Sequence, residues 1–162
     1  DVYKSPAALF IGLHFGVDED SAFAAISSYT PSNSRSQMVR TADNTLIVDA
    51  YNANPSSMEV ALDNFAGIAA DCKIALLGDM RELGEDSAAE HLKLRRRVES
   101  MIASGQLTSA CFVGSEFARS GDSFESSEAL ADYLRRKQIA GATILIKGSR
   151  GVRMENVIDA LR

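Results

Sequence analysis

Apolar positions recur at helical spacing through the first thirty or so residues and then shift to short apolar runs alternating with helical stretches. Ser5-Pro6 reads as a helix start followed by Ala7, Ala8, Phe10, Ile11, His14 and Phe15, and Gly16 ends that element. Asp18 is placed to cap a second helix with Ala22, Phe23, Ile26 and Tyr29 on its apolar face, and Pro31 stops it. Residues 30–37 are polar and read as an interdomain linker.

Beyond the linker, residues 38–40 and 45–48, separated by Asp43-Asn44, predict a hairpin or an adjacent strand pair. Asn54 is an N-cap and Pro55 a first-turn proline for a helix carrying Met58, Leu62, Phe65 and Ile68 on one face. Residues 73–77 predict a strand. Ser87-Ala88-Ala89-Glu90 has the form of a capping box opening a helix that runs to about Ser104. Its Leu94, Val98, Met101 and Ile102 face inward, with Lys93, Arg95, Arg96, Arg97 and Glu99 on a solvated face. Residues 110–113 predict a strand, 128–136 a helix, 142–146 the last strand and 152–161 the last helix. Strands alternating with helices over short connections imply an α/β fold: a Rossmann-like three-layer domain with a mainly parallel sheet. The division expected is 1–34, two helices belonging to a larger body, and 35–162, the α/β domain.

Composition narrows the function classes. Of the 162 residues, 46% are hydrophobic and 24% charged, as in ordinary globular proteins. A net charge of −5 gives no basic footprint for nucleic acid. No apolar stretch approaches the roughly 20 residues that span a bilayer, and Asp1 to Pro6 does not resemble a signal peptide. Cys72 and Cys111 lack metal or redox spacing and read as reduced thiols of a cytoplasmic protein.

The candidate chemistry lies where three predicted strands end, on one edge of a parallel sheet. The first exit is Asp49-Ala50-Tyr51-Asn52-Ala53-Asn54. The second is Gly78-Asp79-Met80-Arg81-Glu82-Leu83-Gly84, followed by Ser87 and His91. The third is Lys147-Gly148-Ser149-Arg150-Gly151. Asp and Asn also stabilise ordinary turns, and each exit taken alone fits that simpler role. In the third run Lys147 and Arg150 offer positive charge to a carboxylate or phosphate, and the glycines allow a close approach. It is not a P-loop, because the Gly-x4-Gly-Lys-Ser/Thr frame is missing. Asp79 and Glu82 do not complete a metal shell, so no metal site is expected.

In combination the exits are more specific. Asp-Ala-Tyr-Asn-Ala-Asn-Pro-x-Ser-Met, Gly-Asp-Met-x-Glu-Leu-Gly-x2-Ser-x3-His and Lys-Gly-Ser-Arg, in this order, closely resemble the signatures of the Mur ligases. So does the opening Phe15-Gly16-Val17 with Tyr29-x-Pro31-x-Asn33-x-Arg35-Ser36-Gln37. The asparagine form of the first turn looks like that of the members that join D-alanyl-D-alanine to a UDP-N-acetylmuramoyl-tripeptide. The resemblance implies an ATP-dependent amide-bond ligase of peptidoglycan precursor synthesis, using Mg2+ held mainly by a central ATPase domain. By it, residues 1–34 are the tail of that central domain and 35–162 the C-terminal domain. Arg35, Asp49, Tyr51, Asn52 and Asn54 are then expected at the ATP, and Lys147, Ser149 and Arg150 at the D-alanyl-D-alanine. Position at an open edge further implies that truncating Asp49 or Lys147 leaves stability nearly unchanged. No P-loop or UDP-sugar domain occurs in these residues, so the chain alone is expected to be inactive. The alternatives are a folylpolyglutamate synthase-like ligase domain and a non-catalytic doubly wound binding module.

Overall fold

The computed structural model describes residues 4–28 and 37–162. The chain divides into two compact units, residues 1–32 and 33–162. In the first, α1 (Lys4–His14) and α2 (Glu19–Ser28) pack against each other. Gly16 adopts φ +84°, and Asp18 Oδ1 accepts from the Ser21 N–H at 2.9 Å to cap α2. Of the apolar face expected on α2, Ala22 is buried and Ile26 half-buried, whereas Phe23 is exposed; Tyr29 lies outside the described residues. Phe10 and Phe15 are 74% and 80% exposed.

The second unit is built on a five-stranded sheet, β1 (Gln37–Arg40), β2 (Thr45–Asp49), β3 (Lys73–Gly78), β4 (Ser109–Val113) and β5 (Thr143–Lys147), in the order β1-β2-β5-β3-β4. β1 pairs antiparallel with β2, and every other pairing is parallel. Side chains alternate across each strand and so feed two cores. Leu46, Val48, Ile74, Leu76, Ile144 and Ile146 meet α6 (Ser127–Lys137) and a closing 3₁₀ segment, Met154–Ala160. Ala75, Leu77, Phe112 and Leu145 meet α3 (Pro55–Ala66), α4 (Ser87–Ala103) and the short α5 (Ser115–Ala118). The strand order runs outward from β2 through β3 to β4 and then back to β5, so right-handed connections fall on opposite faces of the sheet. The connections after β2 and β3 lie on one face, and the segment after the intervening β5 lies on the other. In such sheets the point where the connections change face is where ligands bind, at the carboxyl edge.

Three local expectations are corrected. The box at Ser87 does not form: α4 continues from the 3₁₀ turn Gly84–Asp86, and its N-cap Asp86 sits at φ −78°, ψ −7° and makes no side-chain cap bond. An N-cap side chain reaches the free amides from an extended backbone, and here the backbone is already helical. Arg95 is buried rather than solvated. Its guanidinium lies 4.0 Å from the Phe112 ring centre and donates to Ser120 Oγ at 2.9 Å and to the Asp122 carbonyl at 2.7 Å. The last helix, expected over 152–161, is instead two 3₁₀ segments, Arg150–Val152 and Met154–Ala160, broken at Arg153, whose left-handed φ of +56° interrupts the winding.

Candidate ligand site at the carboxyl edge

The 49–54 turn is pinned at both ends. Asn54, extended at φ −137°, accepts the Ser57 N–H on Oδ1 at 2.8 Å, and Ser57 Oγ accepts the Asn54 N–H at 3.1 Å. Pro55 at the first helical position sacrifices no hydrogen bond. At the strand end, Asp49 and Lys147 are register partners on β2 and β5. Lys147 shares its parity with Leu145, so its stem runs into the α3/α4 core, and it is 2% exposed. Its ammonium donates to Asp49 Oδ2 at 2.5 Å and to the Asn52 carbonyl at 3.0 Å. A buried ammonium persists when it is paired and bonded in this way.

The 78–84 loop is held from below. Asp79 is buried, and its carboxylate accepts the Glu116 and Phe117 N–H groups at 3.0 and 2.9 Å, two of the free amides in the first turn of α5. Gly114 approaches closely because a Cβ there would lie 2.2 Å from Asp79 Oδ2. His91, fully buried, accepts the Met80 N–H on Nε2 at 3.0 Å, which puts the proton on Nδ1, 2.7 Å from the Ser87 carbonyl. The same Nε2 lies 3.7 Å from Asp79 Oδ1. Ser87 Oγ donates to Glu116 Oε2 at 2.6 Å.

Ser149 ties the three exits together. Its hydroxyl accepts the Arg81 N–H at 2.9 Å and points at the Ala53 carbonyl at 3.4 Å, while its own N–H donates to the Asp79 carbonyl at 3.1 Å. The edge presents Tyr51, Asn52, Asn54, Arg81, Glu82 and Arg150 to solvent, with the Arg150 guanidinium 5.6 Å from the Tyr51 ring centre.

Of the residues singled out from sequence, the fold brings Asp49, Asn52 and Lys147 into direct contact. It sets Ser149 among all three loops and Tyr51 beside Arg150. Asn54 is placed at the cap of α3, and Arg35 lies outside the described residues. The sequence reading assigned no role to Arg81, although its place three residues past the end of β3 was the available signal. Among the described residues no three His, Cys, Asp or Glu side chains gather where a metal ion could be held, and no helix is long and apolar enough to cross a membrane.

A mainly parallel sheet covered on both faces, with bonded polar loops at its carboxyl edge, defines a three-layer α/β domain. The sequence matches the family described as "Mur ligase, glutamate ligase domain" over residues 34–150, more than half of the chain. The chain belongs to the Mur ligase family. Similar proteins include UDP-N-acetylmuramoyl-tripeptide–D-alanyl-D-alanine ligases of Treponema pallidum, 31% identical over 96% of this chain and 36% of that protein, and of Escherichia coli K12, 29% identical over 100% and 37%. The chain thus spans little more than a third of these relatives. Among solved structures, MurF of Acinetobacter baumannii superposes with a TM-score of 0.76 at 26% identity, covering 99% of this chain and 36% of that one. MurF of Thermotoga maritima, solved with ADP, shares the fold at a TM-score of 0.73 and 23% identity over 94% of this chain and 35% of that one. These relatives favour neither the folylpolyglutamate synthase alternative nor a non-catalytic module.

Proposed function

We propose that the chain is the C-terminal part of an ATP-dependent ligase that joins D-alanyl-D-alanine to a UDP-N-acetylmuramoyl-tripeptide in peptidoglycan precursor synthesis in the cytoplasm. The observation that carries this reading is the convergence, at one sheet edge, of three polar loops whose sequences match that ligase. In the reaction, ATP phosphorylates the tripeptide carboxylate, and the dipeptide amine then displaces phosphate from the acyl phosphate to form the amide. Residues 1–34 are proposed as the tail of the central ATPase domain and 35–162 as the C-terminal domain. Mg2+ and the ATP phosphates belong, on this proposal, mainly to the part of the protein that this chain does not span.

Within the chain, Arg35, Asp49, Tyr51, Asn52 and Asn54 are proposed to form the nucleotide side of the site, and Lys147, Ser149 and Arg150 the dipeptide side. The bonds divide the labour within each group. Asp49, Lys147 and Ser149 already bond neighbouring loops, and Asn54 bonds the first turn of its own helix, which supports a role in holding the turns in shape. Tyr51, the Asn52 side chain and Arg150 face outward and are the groups offered to ligands.

The test is to express the full-length protein and offer several amines with ATP and the UDP-muramoyl-tripeptide. ATP-dependent incorporation of D-alanyl-D-alanine in preference to single amino acids is expected. Incorporation of glutamate onto a folate would overturn the reading. The present chain alone is expected to show no ligase activity and no tight magnesium-dependent ATP binding by calorimetry, because it lacks the amide cradle of a P-loop.

A further inference from the structure

We infer that His91 is a positioning residue of the ligand edge: through the Met80 backbone N–H it sets the place of the 79–83 loop, and through that loop the place of Ser149. This rests on the proposed function, in which His91 has no role. Past Gly78 the β3 backbone comes to depend on side chains. The Asp79 N–H still reaches the Val113 carbonyl, but the Met80 N–H donates to His91 Nε2 at 3.0 Å and the Arg81 N–H to Ser149 Oγ at 2.9 Å. Those two acceptors come from different elements, α4 and the β5 exit. The next residue, Glu82, takes a left-handed φ of +66°, which a residue with a side chain keeps only where its surroundings hold it. Met80 is 1% exposed, whereas Arg81 and Glu82 stand in solvent. The loop therefore has a buried root and an exposed tip, and the tip follows the root.

His91 is built to be the acceptor for that root. It is fully buried on the stripe of α4 that also carries Leu94 and Val98. Nδ1 bonds the Ser87 carbonyl of its own helix at 2.7 Å, and the Phe117 ring meets the imidazole edge-on with centres 4.7 Å apart. The ring is held by its own helix and by α5, and Nε2 is left aimed at the loop. Packing alone would be served as well by a leucine, yet both polar atoms here are spent on backbone groups. Without Nε2 the Met80 N–H would be buried and unbonded, a state costly enough to shift the loop toward another acceptor. Arg81 and Glu82 would move with it. The Arg81 N–H bond would carry the shift to Ser149, on the proposed dipeptide side.

The experiment compares the full-length wild type with His91→Asn and His91→Gln. The glutamine amide oxygen stands as many bonds from Cβ as Nε2 and can accept from Met80. The asparagine oxygen stands only as far out as Nδ1 and cannot. His91→Asn is expected to raise the KM for D-alanyl-D-alanine by about three- to tenfold, the worth of one neutral hydrogen bond, with the KM for ATP nearly unchanged. His91→Gln is expected to restore it. A residue that only supported the core would change the active fraction, lowering kcat with both KM values fixed. That result, or a His91→Gln no better than His91→Asn, would overturn the inference and leave the ligase reading standing. If the wild type has no ligase activity, the ligase reading fails. Hydrogen exchange on the same full-length proteins then judges the positioning role. His91→Asn should speed exchange over residues 79–83 and leave residues 73–77 protected. Acceleration in both segments or in neither overturns the inference, as does a His91→Asn protein that does not fold.

Discussion

Lys147 carries its ammonium into the interior and meets the carboxylate of Asp49, its register partner one strand away. The two ends of that bond are unequally buried, with side-chain exposures of 2% and 24%. Truncation is therefore asymmetric. Asp49→Ala strands a buried ammonium and is expected to cost about 2–3 kcal/mol, below the ~3–5 kcal/mol of a fully enclosed pair because the aspartate side is partly wet. Lys147→Met keeps the stem and leaves an aspartate that water reaches, at a cost of about 1 kcal/mol or less. Urea unfolding of both variants decides the matter; equal losses would contradict the burial argument. The expectation that neither change touches stability is replaced by this one.

Asn54 is set to cap α3 with its side chain, so Asn54→Ala should lose about 1 kcal/mol, within the ~0.5–2 kcal/mol usual for caps, and Asn54→Asp should retain most of it. Denaturant midpoints measure this directly. A loss in ATP affinity with no loss in stability would assign Asn54 to the ligand instead.

Gly114→Ala should be severe. Its φ is +116°, which a side chain rarely tolerates, and the new methyl would collide with the carboxylate of Asp79. Backbone strain alone is worth about 1–3 kcal/mol, and the displaced Asp79 would leave the first α5 amides unbonded. A thermal midpoint within a degree of wild type would refute this reading of the loop.

Burial pushes the Cys111 thiol above its ordinary range. The folded state thus holds the proton more tightly than the unfolded state. Its share of stability is complete below the free-thiol value of about 8.5 and fades as pH rises through the higher folded value. Alkylation of Cys111 in the native protein should be slow at pH 7–8 and accelerate only at more alkaline pH. Rapid native labelling at pH 7 would show the thiol to be open.

The alternation of strands and helices was legible because the apolar runs are short and their boundaries are marked, as at Asn54-Pro55. The site was legible as three loops but not as a bonded assembly. That β2 and β5 would be neighbours, with Asp49 level with Lys147, depends on a crossover that no local spacing encodes. Arg95 was misread by residue type. It falls four residues after His91 and three before Val98, on the inward stripe of α4, and the position was informative even though the charge was not. Ser87 was misread by motif. The pattern Ser-x-x-Glu was present, but the preceding 3₁₀ turn had already set the backbone and left the hydroxyl to Glu116.

Gly78 and Gly148 touch almost backbone to backbone: a Cβ on Gly148 would stand 3.0 Å from Gly78 Cα and 2.8 Å from Met154 Cγ. With Ser149 bonded across the same gap, the β3 and β5 exits have no room to slide past one another. Mechanically the edge is one jaw and not a set of independent fingers. A load applied at Arg150 is borne at Arg81 and, through Lys147, at the 49–54 turn. A ligand that pulls on one loop moves the rim of the sheet as a unit.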